Sequence, residues 1–203
     1  MKTKKNLFPK LQSKIDALNF DTISPTRKKE LQPLINYVAE HHDKTAQINF
    51  ICTHNSRRSQ FGQVWAQVAA DYYDVKAACF SSGTEVTACN ERTIASLIRF
   101  GFEIEKEGIE NPLYKLKYGF EPTLISVFSK RFDHPKNPKT NFAAVMTCAH
   151  ADENCPYIPG AELRIPIRYM DPKLFDDSLE EEARYDERSL QIATEMFYVF
   201  SNI

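Results

Sequence analysis

At 203 residues, with 42% hydrophobic and 26% charged side chains, the chain has the makings of one generous globular domain, or of one domain with an appendage. Its 26 Lys and Arg against 27 Asp and Glu leave a net charge of −1, which gives no reason to expect nucleic acid or an acidic membrane as a partner. No apolar run approaches the roughly 20 residues that span a bilayer, and the basic start runs into Pro9 and Lys10 instead of a signal-peptide core, so the expected location is cytoplasmic.

Taken in order, the first 45 residues read as a helical extension. Phe8, Leu11, Ile15 and Leu18 follow a helical period, and Ser24-Pro25 supplies a cap and a first-turn proline for a second helix. Leu31, Leu34, Ile35 and Val38 make that helix's apolar stripe, although Pro33 is expected to kink or restart it. His41 and His42 close it; adjacent histidines point to different helix faces, so they read as a solvated end and not as metal ligands.

The main domain is expected over residues 46–203. Residues 47–52 read as a strand, residues 59–73 as a helix, and Val75 to Phe80 as a second parallel strand ending in a Ser81-Ser82-Gly83 turn. A helix over Glu91 to Phe100 is stopped by Gly101. Residues 102–122 are poorly patterned and read as an insertion with a hairpin around Tyr114–Tyr118, with a short strand at Leu124 to Phe128. Ala143 to Cys148 and Leu163 to Ile167 read as two further strands, and Ser178 to Ile203 as a closing helix with Ile192, Met196, Val199 and Phe200 on one side. Strands alternating with helices imply an α/β fold: a four-stranded parallel doubly wound sheet of flavodoxin-like type with an N-terminal helical extension. Ligands in such folds bind at the carboxyl ends of the strands, where Cys52, Cys148 and Ser81–Gly83 all fall.

The most informative stretch is Cys52-Thr53-His54-Asn55-Ser56-Arg57-Arg58-Ser59, set between a strand and a helix. A tight loop feeding a helix N-terminus aims backbone N–H groups at one spot, an anion site made of Thr53, His54, Asn55, Ser56, Arg57 and Arg58. A thiol at its start sits where the helix dipole and a guanidinium favour the thiolate, making Cys52 a nucleophile. Arg58 offers a planar fork for two oxygens of a tetrahedral oxyanion, Ser59 can hydrogen-bond the sulfur, and Asn55 tolerates a left-handed backbone. The plainer alternative is a buried cysteine ending a core strand. Cys79 and Cys89 read as structural thiols.

A second constellation, Cys148-Ala-His-Ala-Asp-Glu-Asn-Cys155-Pro, leaves the end of a central strand. If Cys148 lies near Cys52, a relay follows in which Cys148 attacks Cys52 after an adduct forms, and Cys155 then carries the disulfide outward. The pair is otherwise incidental, or with His150 and Asp152 a zinc site lacking the usual paired spacing.

Together these motifs resemble the low-molecular-weight protein tyrosine phosphatase superfamily, with its Cys-x5-Arg-Ser phosphate loop, and more closely its thioredoxin-coupled arsenate reductases. The resemblance spans about three quarters of the chain, from Ile48 on. It implies Cys52 as nucleophile, Cys148 and Cys155 as resolving thiols that form a redox-active disulfide, Asp171 of Asp171-Pro172 as general acid, and arsenate and thioredoxin as partners, with no cofactor and no metal. The alternatives are phosphomonoester hydrolysis through Cys52, Arg58 and Asp171 alone, or a non-catalytic anion sensor. Several positions depart from the pattern. Arg57 replaces a cysteine frequent in reductases, Gln63 replaces a glutamate of a monovalent-cation site, and Lys173 and Leu174 stand where phosphatases carry aromatic residues, for which Tyr169 is the available substitute.

Overall fold

In the computed structural model, residues 6–41, 43–154 and 157–203 are described, so His42 and Cys155 lie outside the described residues. The chain begins with helices α1 (Pro9–Asp16) and α2 (Pro25–Glu40), followed by strand β1 (Ala46–Cys52), helix α3 (Arg58–Tyr73), strand β2 (Ala77–Gly83) and helix α4 (Glu91–Phe100). Strands β3 (Glu103–Glu107), β4 (Leu113–Lys117), β5 (Leu124–Val127) and β6 (Phe142–Met146) come next. Helix α5 (Ala149–Asn154), strand β7 (Ala161–Pro166) and helix α6 (Glu181–Ser201) complete it.

β1 is buried at every position but Gln47, and β6 is buried throughout, as central strands covered on both faces must be. They form the middle of a four-stranded parallel sheet of order β2-β1-β6-β7, the expected architecture. The alternation of the strands divides the interior in two. Ile48 and Phe50 face a large core with α3, α4 and α6, whereas Ile51 packs with Ala144, Met146, Ala151 and Ile158 in a small one beneath α5. Trp65 and Tyr185 are among the largest buried side chains of the first core, and Trp65 Nε1 donates to Ser189 Oγ at 2.9 Å, tying α3 to α6.

Three expectations change. Ser81, Ser82 and Gly83 are not a turn but the last residues of β2, because Gly83 stays in register with Cys52 and Ser82 Oγ bonds Asn49 Oδ1 across the sheet at 3.1 Å. α2 does not restart at Pro33 but continues through it as one helix; buried Leu31, Leu34, Ile35 and Val38 hold both halves against one core. Residues 102–127 are a second sheet, antiparallel β3-β4-β5, instead of a loose insertion. Residues 114–118 are not its hairpin tip: β4 occupies most of them, with Tyr114 and Leu116 inward and Leu113, Lys115 and Lys117 outward, the period-2 pattern of a half-buried strand. The amino-terminal segment is stitched to this sheet, with Phe8 N–H donating to Tyr118 O at 3.1 Å and Phe120 N–H to Asn6 O at 3.0 Å.

Candidate active site

The loop between β1 and α3 crosses the carboxyl end of the parallel sheet. Its tight course depends on Asn55, which adopts a positive φ of 48°. Asn55 is fully buried and its side chain is used at both ends: Nδ2 donates to Ser59 Oγ at 2.8 Å, and Oδ1 accepts from Lys130 N–H at 2.9 Å. Ser59 Oγ lies 3.0 Å from Cys52 Sγ, so the cysteine, the serine and the asparagine form one connected set. Arg57, the residue before α3, offers no side-chain cap to the helix, which leaves the first N–H groups of α3 open toward an anion.

Gly83 closes the cup from the β2 side. A methyl group there would meet Thr53 O and Glu85 O at 2.6 Å and Asn55 N at 2.8 Å, so the loop backbone rests directly on a residue without a side chain. Thr84 N–H and Glu85 N–H donate to Cys52 O and Thr53 O at 3.2 and 2.8 Å, extending the contact.

Arg58 reaches across to the segment that follows β7. Its Nη2 donates to Asp171 Oδ2 at 2.6 Å and its Nη1 to Tyr169 O at 3.1 Å, while its buried Nε has no partner and is a spare donor at the loop. Asp171 also caps the 3-10 turn Pro172–Phe175, accepting from Lys173 N–H at 3.1 Å. The cap and the guanidinium contact use different oxygens, so one carboxylate serves both purposes.

Cys148 follows the end of β6, beside β1 in a register that pairs Ile51 with Met146. Both Cys52 and Cys148 are buried, in the same small apolar cluster, and both are free thiols. Cys148 Sγ is 3.6 Å from Thr53 Oγ1, on the residue next to Cys52, and receives Ala151 N–H at 3.4 Å. Thr53 Oγ1 is also 3.3 Å from His150 Nδ1. Asp152 is buried and clamped by Arg168 Nε at 2.9 Å and by Arg164, and among the described residues no three or more His, Cys, Asp or Glu side chains are grouped to hold a metal ion.

The remaining loop side chains point elsewhere. Arg57 donates from Nε to Tyr185 Oη at 2.6 Å and from Nη2 to Asp176 Oδ2 at 2.9 Å, which commits those two nitrogens to groups outside the loop. His54 is half-buried, with Nε2 3.2 Å from Glu85 Oε2, and Ser56 Oγ donates to Ala88 O at 2.7 Å. Tyr169 is not a ring-gripping residue at the mouth: it is buried, its hydroxyl donates to Glu195 Oε2 at 2.8 Å, and the Arg27 guanidinium lies 4.8 Å from its ring centre. Leu174 is largely exposed nearby. Burial pushes the Cys89 thiol up to about 12 and the Cys79 thiol higher still, in keeping with structural roles.

Sequence reasoning missed Lys130 and Gln60 as parts of the site, and placed Gly83 at the right end of the sheet, beside Cys52, without its role as the seat of the loop backbone. Gln60 Nε2 donates to Asn55 O at 2.8 Å and to Phe128 O at 3.0 Å. Lys130 and Gln60 carry no motif, and their position behind the loop follows only from the packing of α3 against β2 and β5.

No family model matches the chain. Among curated proteins it is 29% identical to the arsenate reductase of Staphylococcus aureus strain Newman over 116 residues, 55% of this chain and 67% of the relative. Among solved structures, a low molecular weight phosphotyrosine phosphatase from Vibrio cholerae O395 superposes with a TM-score of 0.50 at 13% identity, covering 77% of this chain and 94% of that one. A thioredoxin-dependent arsenate reductase from Corynebacterium glutamicum gives a TM-score of 0.40 at 14% identity, over 81% of this chain and 67% of that one. The chain thus has the fold of the low-molecular-weight phosphotyrosine phosphatases and is similar in sequence to arsenate reductases.

Proposed function

We propose that the protein is an arsenate reductase in which Cys52 is the nucleophile, Cys148 and Cys155 are the resolving thiols, and thioredoxin is the final reductant. The observation that carries this reading is the placement of Cys148 Sγ against Thr53 Oγ1, beside Cys52, at the ends of adjacent strands. A phosphatase has no use for a second buried thiol there. Arsenate binds on the loop N–H groups and the Arg58 fork. The Cys52 sulfur attacks arsenic, and one As–OH group leaves as water with a proton from Asp171. Cys148 thiolate then attacks Cys52 Sγ; the S–As electron pair stays on arsenic, which becomes arsenite, and a Cys52–Cys148 disulfide forms. Cys155 attacks Cys148, frees Cys52 as thiolate, and presents a Cys148–Cys155 disulfide to the dithiol of thioredoxin. This chemistry suits the cytoplasm, where resting thiols stay reduced.

Phosphomonoester hydrolysis is the second reading, supported by the contact of Arg58 with Asp171, which a phosphocysteine route also uses. A Cys155→Ser variant separates the two. Expected is one turnover of arsenite per chain and then arrest, with hydrolysis of p-nitrophenyl phosphate nearly unchanged. Sustained arsenate turnover with thioredoxin in that variant contradicts the relay.

A further inference from the structure

Behind the anion loop lies a charge that the proposed chemistry does not use. Lys130 is 3% exposed, and among the described residues no carboxylate pairs with it. Its Nζ is 3.5 Å from Ser81 Oγ and 4.7 Å from the centre of the Phe128 ring. The titratable groups that face it are Cys89 ahead of α4 and His134 and Lys136 from the loop after β5, none of them a carboxylic acid. Burial accordingly pushes its ammonium down to about 8. An unpaired buried cation destabilises a fold, and replacing such a charge with an apolar isostere is often neutral or stabilising.

What surrounds the ammonium gives it a use. Ser81 Oγ lies 3.0 Å from Gln60 Oε1 and 2.6 Å from Gln63 Oε1, and its single hydrogen can satisfy only one of these oxygens. Gln60 in turn holds Asn55 O, while the Lys130 backbone N–H holds Asn55 Oδ1. Asn55 then orients Ser59, and Ser59 meets Cys52.

We propose that Lys130 is a positioning residue of the anion loop: its buried ammonium orders the Ser81–Gln60 pair that fixes the Asn55 turn, and it sets a positive charge beneath the loop that favours an oxyanion on it. This rests on the reading of the Cys52 loop as an oxyanion site. Carbamoyl oxygens converging on a hydroxyl repel one another, and a cation beside them relieves that repulsion. The same cation draws an anion to the loop across a water-poor interior.

The test is protection of Cys52 from iodoacetamide by inorganic phosphate and by arsenate, read by mass spectrometry between about pH 6 and 9, alongside thermal unfolding. For Lys130→Met the half-protecting anion concentration is expected to rise at least about tenfold, the worth of one charge-assisted contact, while the melting temperature stays level or rises. In the unaltered protein, protection should weaken above about pH 8, where Lys130 loses its charge, and Lys130→Met should lack that limb. Propylammonium should restore protection to Lys130→Ala. Unchanged protection in Lys130→Met overturns the proposal, and so does loss of protection accompanied by unfolding without rescue of the alanine variant. If Cys52 of the unaltered protein is neither alkylated nor protected by either anion, the loop reading itself fails and the proposal falls with it.

Discussion

The residue at which the loop is least forgiving is Gly83. A β-carbon there would meet three backbone atoms, Thr53 O and Asn55 N of the loop and Glu85 O of the segment after β2, none of which can rotate out of the way. Gly83→Ala should therefore shift the loop instead of being absorbed. The stability cost of such overpacking is roughly 1–3 kcal/mol, but a displacement of about 1 Å in the loop that the proposed chemistry uses costs on the order of 100-fold in rate. The expected result is a folded protein, shown by unchanged far-ultraviolet circular dichroism, whose turnover and Cys52 alkylation have both collapsed. A Gly83→Ala protein with wild-type kinetics contradicts this account of the cup. The motif spacing announced Cys52, Asn55, Arg58 and Ser59 because their chemistry is local to one turn. Gly83 is 31 residues after Cys52, and its importance arises only from the parallel register that lays β2 beside β1.

At the scale of elements, α2 and α6 are joined by a buried ion pair that continues to the site. Arg27 Nε and Nη2 donate to Glu195 Oε1 and Oε2 at 3.0 and 2.9 Å, Glu195 accepts the Tyr169 hydroxyl, and Tyr169 O accepts Arg58 Nη1. Burial acts to lower the Arg27 pKa, but Tyr169 and Glu195 outweigh it and hold the guanidinium above its ordinary value. Burial, followed by the Glu195 charge, likewise raises the Tyr169 phenol well above its usual range. Glu195→Ala strips Arg27 of its buried carboxylate, leaving it only the exposed Glu30, and strands the Tyr169 hydroxyl, a loss of roughly 3 kcal/mol, or roughly 10 °C in melting temperature for a chain of this size. Because the chain of contacts ends on Arg58, the surviving folded protein should also bind phosphate more weakly. A melting temperature within about 2 °C of wild type shows instead that the pair contributes little. Nothing local to Arg27 or Glu195 foretold this link, since 168 residues separate them.

For the whole molecule, the question is whether residues 1–45 are an appendage. Leu11, Ile15, Leu31, Leu34, Ile35 and Val38 belong to the same core cluster as Ile48, Phe50 and Val145 of the sheet. Burying six such side chains is worth on the order of 10 kcal/mol, as large as the net stability of a typical domain. A chain starting at residue 46 is therefore expected to be insoluble or to lack cooperative unfolding, measured by expression yield and calorimetry. A soluble, cooperatively unfolding product with catalytic activity argues for an independent domain. Among the described residues no helix is long and apolar enough to cross a membrane.

Sequence by itself determined the parallel α/β sheet, the loop with its cysteine and arginine, and the nearness of Cys148, because strand and helix periods are read residue by residue and parallel strands align their carboxyl ends. Tertiary structure alone decided that residues 102–127 form a second sheet, that Tyr169 is sealed inside by Glu195, that Arg57 serves Tyr185 and Asp176, and that a lysine stands behind the loop. Each depends on which distant side chain fills the space left by its neighbours, and pairings across such separations leave no periodic trace along the chain.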